Sequence, residues 1–105
     1  MLHKKYRLSN FDFKKFFKKE KISNSIFKIY RLKSDNGLPK FSVQTNIKKS
    51  VERNKLRRRI YEILRKNLKK IPVFYYLILV DESAKKMKFN DLEERLLKLL
   101  IKWTS

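Results

Sequence analysis

The chain has 105 residues, with 29 Lys or Arg against 10 Asp or Glu, a formal net charge of +19. A hydrophobic fraction of 42% with 13% aromatics is too high for a disordered basic tail, and the length suits one domain with a modest core. With no cysteine, disulfide scaffolds, thiolate metal sites and cysteine nucleophiles are excluded together. The basic start of the chain lacks the apolar stretch of a secretory signal. The longest apolar run, residues 71–80, is about half a membrane span and contains Pro72, so a cytoplasmic protein without a membrane partner is expected.

In chain order, Ser9 or Asn10 can cap a first helix over residues 10–19, with Asp12 near the positive end of its dipole. Phe13, Phe16 and Phe17 share one face of it. Residues 25–33 alternate as a strand, Phe27 and Ile29 on one parity and Tyr30 and Leu32 on the other. Asn36-Gly37 with Pro39 signals a tight turn into a second strand over residues 40–46. The two strands are expected to pair as a hairpin. Residues 50–70 read as a helix with Leu56, Ile60, Ile63, Leu64 and Leu68 as its apolar stripe. Arg53, Arg57 and Tyr61 run along the border of that stripe. Residues 73–80 are apolar on both parities, the pattern of a central strand covered on two sides. A last helix starts near Asn90, with Glu93 completing a capping box and Leu92, Leu96, Leu97, Leu100 and Trp103 facing inward. The sum is an α+β two-layer sandwich, a small mixed sheet packed with about three helices.

Charge is concentrated. Residues 1–71 hold 23 basic and 5 acidic side chains, whereas residues 72–105 hold 6 and 5. Between Lys48 and Lys70 only Glu52 and Glu62 answer eleven basic residues. A charge-rich helix face is ordinarily a solvated surface, but here the repulsion is uncompensated, and a polyanion is the simplest partner. Catalytic groups are missing. His3 reads as a bystander, Gly37 is the single glycine, so no phosphate loop exists, and Asp81-Glu82 reads as a loop start rather than a metal site. The aromatics Phe13, Phe16, Phe17 and Tyr30 are candidates for stacking on unpaired bases, with core packing as the alternative for the phenylalanines.

The segment Val51-Glu52-Arg53-Asn54-Lys55-Leu56-Arg57-Arg58-Arg59-Ile60-Tyr61-Glu62 resembles the signature of the bacterial ribonuclease P protein family. That signature is Val-x-Arg-Asn-Arg, one residue, Lys-Arg, two residues, Arg. Arg7-Leu8, Asp12-Phe13 with Phe16-Phe17, Ile29-Tyr30, Leu38-Pro39 before Phe-Ser-Val, and the Leu-rich end extend the likeness over most of the chain. Two departures stand out. Tyr61 occupies the place of the last arginine, and Gln44-Thr45-Asn46-Ile47-Lys48 replaces Ser-Lys-Lys-x-Gly.

The resemblance implies a left-handed βαβ crossover, an exception to the usual hand. It implies a holoenzyme in which a catalytic RNA subunit carries the active site and removes the 5′ leader of precursor tRNA by Mg2+-dependent hydrolysis. No residue of this chain would then be catalytic or a metal ligand, and no obligatory protein partner is evident. Arg53, Asn54, Lys55, Arg57, Arg58, Tyr61 and Arg65 would contact RNA, and Phe13, Phe16, Phe17 and Tyr30 would line the leader cleft. The alternative from another class is a structural RNA-binding protein, such as a small ribosomal protein. A helix-turn-helix DNA reader fits less well, because a strand rather than a partner helix precedes Ser50.

Overall fold

The computed structural model describes residues 4–8, 21–34 and 37–102. The helix expected over residues 10–19, with Phe13, Phe16 and Phe17, and also Trp103, lie outside the described residues. Within them the order is β1 (Lys21–Ser23), β2 (Phe27–Lys33), β3 (Lys40–Thr45), α1 (Ser50–Lys66), β4 (Phe74–Val80) and α2 (Phe89–Lys102). Single 3-10 turns lie at Lys4–Tyr6, Leu68–Lys70 and Glu82–Lys86. No helix among the described residues is long and apolar enough to cross a membrane.

The sheet order is β1-β2-β4-β3, with β4 antiparallel to β2 and parallel to β3. The expected hairpin between β2 and β3 is therefore wrong: β4 is inserted between them. Six residues separate Lys33 from Lys40, enough to step over a strand, whereas a hairpin turn on Asn-Gly would leave two. Gly37 does turn the chain there, at φ +75, the left-handed region that favours glycine. The true hairpin joins β1 to β2, where Asn24 Oδ1 accepts from the Ile26 and Phe27 amides at 2.8 and 2.7 Å. β1 has only three residues, too few for alternation to announce it. The parallel β3–β4 pair requires a crossover, and α1 supplies it.

Alternation gives the sheet two different faces. Phe27, Ile29, Phe41, Val43, Tyr76, Ile78 and Val80 form one core with Leu56, Ile60, Ile63 and Leu64 of α1 and Leu92, Leu96 and Leu100 of α2. On the other face Tyr75 and Leu77 are buried with Leu8, and Tyr30, Leu32 and Leu79 pack against them. The two-sided burial read from residues 73–80 holds for β4, although Val73 itself is exposed. On the helix-covered face Phe41 stacks on Tyr76 at 5.3 Å, and the Arg31 guanidinium lies 4.2 Å over Phe74. The Tyr76 hydroxyl donates to the Pro72 carbonyl at 2.7 Å. Burial pushes this phenol up, against a smaller downward pull from Arg31, so it remains a protonated donor.

The helical stripe of residues 50–70 is present, but the α-helix ends four residues early. Asn67, buried, turns its amide back to the Ile63 carbonyl at 2.8 Å and also donates to Glu93 Oε2 of α2 at 3.1 Å. That local bond competes with the helical ladder, and a 3-10 turn follows. It also accounts for the missing capping box: α2 begins at Phe89 rather than Asn90, and Glu93 is engaged by Asn67 and by Lys66 Nζ at 3.6 Å. Leu92, Leu96 and Leu100 are buried as read, while Leu97 is only half-buried. Replacing Asn67 with Ala would strip a buried acceptor of its donor and unlink α1 from α2. A loss of about 1–3 kcal/mol in unfolding free energy is expected in urea titration; an unchanged midpoint would show the joint to be idle.

Candidate RNA interface

The amphipathic pattern of α1 decides what it can present. With Leu56, Ile60, Ile63 and Leu64 turned into the core, Asn54, Lys55, Arg58, Arg65 and Lys66 are exposed. Arg53, Arg57 and Tyr61 are half-buried along one border, as their spacing of four required. That border lies against the outer edge of β3. Arg53 Nη1 donates to the Ile47 carbonyl at 3.4 Å, and the Val43 amide donates to Tyr61 Oη at 3.3 Å. Arg57 lies between these two anchors along the helix.

The same edge receives the start of the chain. Arg7 bridges to Phe41, and the Leu8 amide donates to the Phe41 carbonyl at 2.8 Å. The Arg7 guanidinium then lies 5.5 Å over the ring of Tyr61. Arg7 Nε, Arg57 Nε and Thr45 Oγ1 are buried atoms with no hydrogen-bond partner. Among the described residues, Arg7, Arg53, Arg57 and Arg58 have no carboxylate partner.

Arg65 differs. It is bound through both Nε and Nη2 to Glu62 one turn back, and this hydrogen bonding holds the Glu62 carboxyl below its ordinary range. On the far border of α1, Glu52 pairs with Lys85 at 3.2 Å beside Lys55 and Arg59. The carboxylates of α1 thus sit away from the β3 border, which keeps the row of Arg53 and Arg57 purely cationic.

Tyr30 belongs to the opposite side of the sheet, half-buried beside Leu77 and Leu32. Tyr30 and the arginine row therefore do not converge on one site: the arginine row is reached from the helix-covered side, and Tyr30 from the other. Among the described residues no three His, Asp or Glu side chains are grouped so as to hold a metal ion. Arg7 was not singled out for RNA contact, because neither helical nor strand periodicity surrounds it. Only its pairing to Phe41 brings it to α1.

The sequence matches the Ribonuclease P family over residues 2–104. The chain belongs to the ribonuclease P protein family. It is 35% identical to the ribonuclease P protein component of Mycoplasma mycoides subsp. mycoides SC over 95% of this chain and 96% of that one. Against the ribonuclease P protein component of Mesoplasma florum the identity is 30%, with 98% of both chains covered. The fold is similar to the ribonuclease P protein of Thermotoga maritima, with a TM-score of 0.85 and 27% identity, covering 94% of this chain and 98% of that one. A Staphylococcus aureus ribonuclease P protein superposes with a TM-score of 0.79 at 22% identity, covering 90% and 92%, a likeness of fold alone. Membership makes this chain a protein component of a ribonucleoprotein endoribonuclease rather than a stand-alone structural RNA-binding protein. The mixed four-stranded sheet with two helices on one face is the family's architecture.

Proposed function

We propose that residues 1–105 act as one RNA-binding domain that grips the catalytic RNA subunit of ribonuclease P with α1 and holds the 5′ leader of precursor tRNA on the opposite sheet face. Arg53, Asn54, Lys55, Arg57 and Arg58 neutralise phosphates of the RNA subunit, with Tyr61 and Arg65 at the margin of that surface. Tyr30, together with Phe13, Phe16 and Phe17, offers ring faces to unpaired leader bases. The observation that carries this reading is the arginine row on α1, free of carboxylates in a chain of this family. Hydrolysis is left to the RNA and its Mg2+. In this reading the protein acts by raising affinity and orienting substrate in the cytoplasm.

The test is reconstitution. The protein is mixed with the catalytic RNA subunit and a precursor tRNA at a magnesium concentration too low for the RNA alone. Leader release only in the presence of protein is the expected result. Tight binding with no gain in cleavage would sink the proposal and restore the structural RNA-binding alternative.

A further inference from the structure

We infer that Arg7, held on the ring of Tyr61, is itself a phosphate contact of this interface and supplies the charge that the family signature places at its last arginine. The inference rests on the proposed RNA interface and goes one residue beyond it. Tyr61 stands at that position with its Oη fixed by the Val43 amide. A tyrosine there cannot neutralise a phosphate, yet its ring is a platform for a cation. Arg7 occupies the platform, at 5.5 Å. Its backbone is pinned by the bridge to Phe41 and by the Leu8–Phe41 hydrogen bond, so both members of the stack are anchored to the same β3 edge.

Arg7 Nε and Arg57 Nε are both desolvated and unpartnered. Desolvated donors on two cations, one over the Tyr61 ring and one a helical turn before Tyr61 on α1, are stabilised by an acceptor that brings negative charge. A phosphate is matched to them because a guanidinium presents its donors as a planar fork. Of the other candidates for the missing charge, the exposed Arg58 is already counted among the phosphate contacts proposed for α1. Arg65 is bound to Glu62, and Arg59 lies beside Glu52 and Lys85 on the far border of α1. The cation at this ring comes from the chain's first segment.

The experiment measures the affinity of the full chain for the catalytic RNA subunit across a series of salt concentrations. Arg7→Gln is expected to lower the slope of log affinity against log salt by about 0.7–0.9, the loss of one phosphate contact. Adding Tyr61→Arg to that variant is expected to restore the slope, since the charge returns to its usual place. Should Arg7→Gln fold poorly, Arg7→Met keeps an unbranched stem on the ring and is read the same way. An unaltered slope in a folded Arg7 variant, while Arg57→Gln lowers it, would overturn the inference and leave Arg7 a structural clamp. A wild-type affinity that ignores salt would instead overturn the interface on which the inference rests.

Discussion

Reversing charge at two neighbouring positions, Arg57→Glu with Arg58→Glu, is expected to weaken binding of the RNA subunit by about a hundredfold or more. Hydrogen bonds to charged groups contribute roughly 1.5–3 kcal/mol each, and the new carboxylates add repulsion. The salt slope should fall by about 1.4–1.8, two contacts' worth. Arg58 is exposed and Arg57 half-buried, and neither belongs to the apolar core, so the melting temperature serves as the control. Filter binding across a salt series checks both numbers. A slope equal to that of the unmodified chain would remove this face of α1 from the interface.

Tyr30→Ala should act on a different ligand. If the ring stacks on a leader base, its removal costs about 1–3 kcal/mol of affinity for precursor tRNA, on the order of tenfold, and spares mature tRNA, which has no leader. Adding Phe17→Ala should widen the gap between the two substrates. The comparison is needed because Tyr30 also packs beside Leu77. Equal losses for precursor and mature tRNA would show that the aromatics only fill space.

Single elements were legible in the sequence where one period dominated. The spacing of Leu56, Ile60, Ile63 and Leu64 located α1 and its buried side, and the unbroken apolar run located β4 as the central strand. What failed were inferences about partners. Gly37 marked a turn correctly, but pairing was decided by β4, the most apolar strand, which claims the middle of the sheet. Asn90 with Glu93 had the spacing of a capping box, yet the carboxylate is drawn away by Asn67, 26 residues earlier.

The candidate site divided in the same way. The α1 arginines could be read from the helical period together with the resemblance to the family. The separation of Tyr30 from them could not, because parity assigns residues to two faces without saying which face a helix will cover. The role proposed for Arg7 was not legible for a further reason: it depends on a ring 54 positions away and on an edge pairing that no local pattern encodes.

The two unlike faces of β4 carry a consequence for how such a protein can change. Leu77 points toward the side bearing Tyr30, and Ile78, its immediate neighbour, toward α1. On the proposed function, drift at one position can thus retune the grip on a substrate's tail while the next position, under separate selection, preserves allegiance to the ribozyme. A partition one strand thick lets the two loyalties evolve apart.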